Sequence, residues 1–206
     1  TSGNNSGGFG TWEPGYETGM SIVSLKLALE TPLNAGGFIA DPQRQEILDA
    51  IDYALNDWIL FYVDPAWTMV SWRYDKWNTG QTSGDMSVNQ WIYLALDAMD
   101  YEGLDIWNKI YGYLDNLKCS SGDYSYIGYQ SCGTWPRQNT CAGTWGTVLA
   151  ADHGVAAAST LKNQFFNYLD NYTLSQLIDV NQINSNHVYT GGGYYYYLYG
   201  FSKALA

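Results

Sequence analysis

The chain of 206 residues predicts an all-α fold, and three observations carry that reading. Apolar stretches long enough for helices begin repeatedly just after a polar turn containing glycine. Amphipathic stretches alternate with them, their apolar residues recurring at helical spacing. The segments in between are too rich in glycine to build a large sheet. With 46% hydrophobic and 17% aromatic residues the composition lies far from that of disordered chains, and the length suffices to bury a core without disulfides. One domain is expected over residues 1–206, with 1–15 an irregular lead-in.

Taken in order, Tyr16-Glu17-Thr18-Gly19-Met20 opens an apolar helix over 20–29. Asp41-Pro42 then starts an amphipathic helix: Asp41 can accept backbone N–H bonds, and Pro42 sits where no donor is needed. Ile47, Ile51, Ala54, Leu55 and Trp58 form its apolar stripe, with Glu46, Asp49, Asp52 and Asp57 mostly turned elsewhere. Gly84-Asp85-Met86-Ser87 opens the next apolar helix over 88–99, with Asp85 or Ser87 able to cap it. Its run Trp91, Ile92, Tyr93, Leu94, Ala95, Leu96 has almost no polar face, so burial on nearly every side is expected. A second amphipathic helix uses Ile106, Ile110, Tyr113, Leu114 and Leu117. Cys141-Ala142-Gly143-Thr144-Trp145 leads into an apolar helix over 148–158, and Leu161, Phe165, Phe166, Tyr168 and Leu169 mark the third amphipathic one. Tyr189-Thr190-Gly191-Gly192-Gly193 precedes the last apolar helix, 194–206. The apolar helices read as inner and the amphipathic ones as outer, about seven in all. Aromatic and glycine-rich connectors, 8–15, 67–84 and 122–140, enter the inner helices at one end of the array, where functional loops are expected to gather.

One unit carries a family pattern. Ser71-Trp72-Arg73-Tyr74, a polar spacer, and Gly84-Asp85-Met86-Ser87-Val88-Asn89-Gln90-Trp91 followed by an apolar core resemble the repeat of the squalene-cyclase and prenyltransferase group. The resemblance fits this unit well and the rest of the chain loosely. It implies an α/α toroid of paired inner and outer helices. Toroids of that group close with about six pairs, so this chain corresponds to an incomplete toroid, an open arc with two uncovered ends.

Composition narrows the function classes. The 20 acidic and 9 basic residues give a net charge of -11, which repels nucleic acid and anionic lipid headgroups. No apolar run approaches the ~20 residues of a transmembrane helix, so membrane insertion is not expected. The first residues lack the basic and apolar regions of a signal peptide and could follow a cleavage site. Few lysines, many Tyr, Trp, Asn, Ser and Gly residues, and N-glycosylation sequons at Asn4 and Asn171 favour an extracellular or cell-surface location. In that compartment Cys119 and Cys132 are expected to pair, leaving Cys141 free at a helix start with a thiol more acidic than usual. Pairing of Cys132 with Cys141 stays open, because spacing does not decide connectivity.

The catalytic signatures implied by the resemblance are not matched. Class II terpene cyclases need an Asp-x-Asp-Asp acid; the nearest run is Asp97-Ala98-Met99-Asp100 at a helix end. The protein prenyltransferases hold zinc through Asp-x-Cys and a His on the last inner helix, but Asn139 precedes Cys141 by two residues and Tyr194 to Tyr197 stand where the His would fall. The thioester domains that share the toroid need a Gln that Cys141-Ala142-Gly143-Thr144 lacks. No metal and no cofactor is expected. A glycan-cleaving enzyme would require two carboxylates, and Glu17 and Asp85, both at inner-helix starts, are the pair to weigh against simple dipole stabilisation. Asp152 and His153 form another candidate pair, although neighbours on a helix point about 100° apart and need a third partner. Trp72, Tyr74 and Trp77, with Tyr126 and Trp135, could form an aromatic platform for sugars or simply pack beneath the loops.

These readings lead to a non-catalytic extracellular scaffold that self-assembles into a homo-oligomer or polymer, a head-to-tail filament if the contact does not close. Phe9 and Trp12 on the first connector and Tyr194, Tyr197, Leu198 and Phe201 on the last helix are the expected contact residues. The alternative is a glycan-binding or glycan-degrading toroid domain, with a terpene-cyclase-like enzyme further behind.

Overall fold

In the computed structural model, residues 8, 14–30, 39, 41–131 and 136–171 are described. They form six α-helices and one small hairpin: α1 (Pro14–Glu30), α2 (Asp41–Ala54), α3 (Met86–Ala98), α4 (Ile106–Leu117), β1 (Lys118–Ser121), β2 (Tyr124–Ile127), α5 (Pro136–Asp152) and α6 (Ala158–Leu169). The mostly helical fold read from the sequence is therefore observed, and the expected helix over 194–206 lies outside the described residues. No helix among the described residues is long and apolar enough to cross a membrane.

The three apolar helices pack in series, α1 on α3 and α3 on α5, while α2 lies against α1, and α4 and α6 against α5. The amphipathic stripes point as their periodicity requires: Ile51, Trp58, Ile106, Ile110, Tyr113, Leu114 and Phe165 are fully buried. The α2 stripe stays on its register through a π-helical turn at Leu55–Ile59, which carries Trp58 into the core. Each such aliphatic or aromatic side chain contributes about 1.5–3 kcal/mol by leaving water.

Helix boundaries differ from expectation in informative ways. α1 begins at Pro14, where proline's missing N–H costs nothing, rather than near Met20. α5 spans Pro136–Asp152 rather than 148–158. Its start was obscured by threonines, whose hydroxyls turn back onto their own helix: Thr144 donates to the Thr140 carbonyl and Thr147 to that of Thr144, both at 2.7 Å. Its end is a glycine closure, with Gly154 left-handed (φ +88°) and the Val155 N–H donating to the Ala150 carbonyl at 2.9 Å. α3 ends the same way, except that Asp100 holds the left-handed position and the Tyr101 N–H donates to the Leu96 carbonyl at 3.0 Å.

The hairpin is the element missed in the sequence. The segment read as connector 122–140 contains β2, paired antiparallel with β1 so that Cys119 faces Tyr126 and Ser121 faces Tyr124. Gly122 supplies the left-handed turn residue (φ +63°), and Ser125 and Ile127 point inward against α5 and α6. Buried lysines fix the other connector. Lys109 on α4 donates to the carbonyls of Pro65 and Trp67 at 3.0 and 2.6 Å, a satisfied charge that holds the chain entering residues 67–84.

Candidate functional site

The starts of α1 and α3, the extended segment 71–74 and the loop after β2 meet in one buried polar centre. Asp85 builds it. Its backbone is extended (φ -125°, ψ 116°), and its Oδ1 accepts the Ser87 N–H at 2.9 Å and the Ser87 hydroxyl at 2.5 Å, an N-cap of α3. The Asp85 N–H donates to the Trp72 carbonyl at 2.9 Å. Asn89 completes the frame: its Oδ1 accepts the Trp72 N–H and its Nδ2 donates to the Asp85 carbonyl, both at 2.9 Å. Ser71 exchanges backbone bonds with Gly80, closing the 71–80 loop.

α1 joins this frame because Gly15 allows it. A Cβ there would lie 2.6 Å from the Arg73 carbonyl oxygen, so only glycine lets segment 73–74 pass while Gly15 donates to the Tyr74 carbonyl at 2.9 Å. Two phenol contacts then tie the elements together: the Tyr16 hydroxyl with that of Ser87, and the Tyr74 hydroxyl with that of Tyr129. The rings of Tyr16 and Tyr74 lie 5.7 Å apart, tilted against each other. Glu17 Oε2, Asp85 Oδ2 and the hydroxyls of Tyr93 and Tyr113 are buried with no hydrogen-bond partner among the described residues.

The electrostatics oppose base chemistry by the phenols. Burial pushes the Tyr16 hydroxyl well above the ordinary phenol range, against the opposing effect of its Ser87 bond. Burial, with the Asp85 carboxylate beside it, does the same to Tyr129, and burial also raises Tyr93 and Tyr113. These hydroxyls remain protonated donors at neutral pH. Neither a family model, nor a curated protein, nor a solved structure matches this chain.

The expected site residues fall in several places. Glu17 and Asp85 do belong to neighbouring helix starts, as anticipated, yet Asp85 spends one carboxylate oxygen on its cap. Trp72 is fully buried, its indole N–H donating to the Ile59 carbonyl at 2.7 Å, so it supports the loop from beneath and offers no face to a ligand. Tyr74 lies in the polar centre. Tyr126 stacks instead on Tyr168, with centroids 5.1 Å apart. Trp77 is 54% exposed and forms a separate ledge with Tyr62 at 5.0 Å, next to Phe61, which is 52% exposed. Trp135, Phe9, Trp12, Tyr194, Tyr197, Leu198, Phe201 and Asn4 lie outside the described residues. Asn171 is exposed.

Asp152 is exposed, while His153 turns away from it to contact Glu102 through Nδ1 and Asp97 Oδ1 through Nε2 at 3.2 Å. The structure therefore does not join Asp152 and His153; the partners of His153 are Asp97 on α3 and Glu102 on the connector after it. Cys141 is a free cysteine, but two features of the expectation fail: it lies in the second turn of α5 rather than at its start, and burial raises its thiol pKa instead of lowering it. Cys132 is outside the described residues. Sequence reasoning missed Tyr16 and Asn89 and named Ser87 only as a possible cap; the signal for Asn89 was the Asp85-x-Ser87-x-Asn89 spacing, in which three alternate positions are polar at the entry to a mostly apolar helix.

Proposed function

We propose that this chain is a non-catalytic, exported scaffold module, an open arc of helix pairs of the squalene-cyclase and prenyltransferase type that associates end to end with further copies. The serial packing of α1, α3 and α5 with outer helices beside them fits such an arc. One observation carries the assembly reading: α1, an inner helix at the end of the series, exposes Met20 (37%) and Leu27 (58%). These residues are two helical turns apart, with exposed Ser24 and Ala28 between and beside them. They make an apolar stripe with small neighbours, suited to close helix contact. The partner surface in this reading is the helix expected over 194–206, so the two faces differ and the contact is heterologous.

Engagement of Asp85 as a cap and of Trp72 as a core residue supports a structural use of the conspicuous motif. Sedimentation velocity and light scattering test the proposal. Wild type should associate with increasing concentration, and the Met20→Gln/Leu27→Glu double variant should stay monomeric with an unchanged helical spectrum. A wild-type chain that remains monomeric at high concentration overturns it.

The ledge of Phe61, Tyr62 and Trp77 favours a second reading, glycan binding, because Trp77, tilted against Tyr62 and 54% exposed, offers an indole to solvent on which a sugar ring can stack. A glycan array probed with wild type and Trp77→Ala tests it; equal or absent signals remove it.

A further inference from the structure

We propose that Asp100, Glu102 and His153 form a binding site for a divalent transition-metal ion of the Zn2+ class, one that ties the C-terminal end of α3 to that of α5. One ligand atom from each of the three residues lies within 4.8 Å of the other two. The three come from two closures of the same kind: Asp100 is the left-handed residue that ends α3, Glu102 follows it on the connector, and His153 directly precedes the left-handed glycine that ends α5.

The imidazole is held as a metal-ligating ring needs to be. Its side chain is only 10% exposed. The Trp107 indole stacks on it with centroids 4.0 Å apart and planes 7° from parallel, and that indole is itself anchored by donating to the Tyr101 carbonyl at 2.9 Å. Nε2 faces Asp97 Oδ1 at 3.2 Å, the outer carboxylate that orients a ligating histidine, so Nδ1 is left facing Glu102. A stacked ring with one nitrogen fixed cannot rotate to release the other. Charge points the same way. Asp97, Asp100 and Glu102 bring three carboxylates to one imidazole, so even a protonated ring leaves two negative charges uncompensated among these four side chains.

Donor type selects the ion. Imidazole with carboxylates suits Zn2+, whereas Mg2+ and Ca2+ favour all-oxygen sets. An ion enters by displacing the direct contact between Nδ1 and the Glu102 carboxylate, with the Asp100 carboxylate already within 4.8 Å; both acidic residues are exposed. Water would fill the remaining coordination positions.

The test is titration of the untagged, chelator-treated protein with zinc chloride by isothermal calorimetry, alongside thermal melts with and without Zn2+. Wild type should bind one Zn2+ and melt several degrees higher with it, with millimolar Mg2+ giving no shift. His153→Gln and the surface double variant Asp100→Asn/Glu102→Gln should each weaken binding at least tenfold and lose the melting shift. Asp97→Asn should weaken it about tenfold by freeing the ring, and Asp152→Asn, an exposed neighbour outside the cluster, should change nothing. The double variant removes only exposed groups, so a folding failure of His153→Gln would leave the question answerable. Absence of stoichiometric binding by wild type, or equal binding by wild type and the double variant, overturns the proposal.

Discussion

Replacing Gly19 by Ala probes a close approach between α1 and α3. In an isolated helix this change is favourable by about 1 kcal/mol, because alanine loses less backbone entropy than glycine. The packed structure reverses the sign. A Cβ at position 19 would lie 2.8 Å from both the carbonyl carbon and the carbonyl oxygen of Trp91 and 2.9 Å from its Cβ. Two of those atoms are backbone of α3 and cannot rotate away, so α1 must move off α3 by about half an ångström or more, which places the cost near the top of the ~1–3 kcal/mol range for overpacking. Subtracting the propensity gain leaves a net loss of about 2 kcal/mol, roughly 4–8 °C in melting temperature for a chain of this size. Urea unfolding followed by circular dichroism at 222 nm measures it. Ser24→Ala, at an exposed position of the same helix, serves as the propensity control and should be neutral or slightly stabilising. A Gly19→Ala variant as stable as wild type or more so would refute the close packing of α1 on α3.

Asp85→Ala should cost about 1–2 kcal/mol by leaving the Ser87 N–H and hydroxyl without their acceptor, and Asp85→Asn should recover much of the loss, as paired urea titrations would show. His153 gives a pH signature. Burial lowers its pKa, but the hydrogen bonds and charges of Glu102 and Asp97 outweigh that and raise it overall from the ordinary 6.5. Its contribution is therefore complete below about pH 6.5, where the unfolded chain is also protonated, and is lost as pH rises through the raised folded value. Melting temperature measured with chelator between pH 5.5 and 9 should fall across that window in wild type and flatten in His153→Gln. Cys141, buried with a raised thiol pKa, should react with a thiol reagent at pH 8 only after denaturant is added. Mass spectrometry without reductant should find Cys119 and Cys132 joined in the exported protein, and three free thiols would count against export.

The buried polar centre shows why a motif alone did not disclose a site. Asp85 could be read from the sequence as a cap or as an acid, and both readings use the same residue at the same helix start. Only the tertiary structure shows its Oδ1 committed to Ser87, the Trp72 ring turned into the core, and the phenols of Tyr16 and Tyr129 held protonated by burial. The aromatic residues grouped by connector in the sequence separate in space, because each ring follows its own backbone: Tyr126 on a strand edge against α6, Trp77 on a short 3-10 turn facing solvent, and Trp72 beneath both ends of the loop.

What the sequence determined by itself was the helical class and the placement of α2, α4 and α6, since an apolar stripe at 3.6-residue spacing can be satisfied only by a helix lying on a core. It also placed a cap for α3 at Asp85 or Ser87, and the structure assigned it to Asp85. The extent of α5 and the existence of the hairpin were decided by tertiary structure. Threonine and glycine have weak intrinsic preference for helix, and residues 136–147 become helical because Gly143 and Gly146 admit Ile127, Phe165 and Tyr93 against the backbone. The hairpin exists because Ser125 and Ile127 find inward partners on α6 and α5, contacts between residues far apart in the chain that no local pattern encodes. The cluster around His153 follows the same rule: its ligands lie about fifty residues apart, and only the packing of α4 and α5, with Trp107 between the connector and the ring, brings them together.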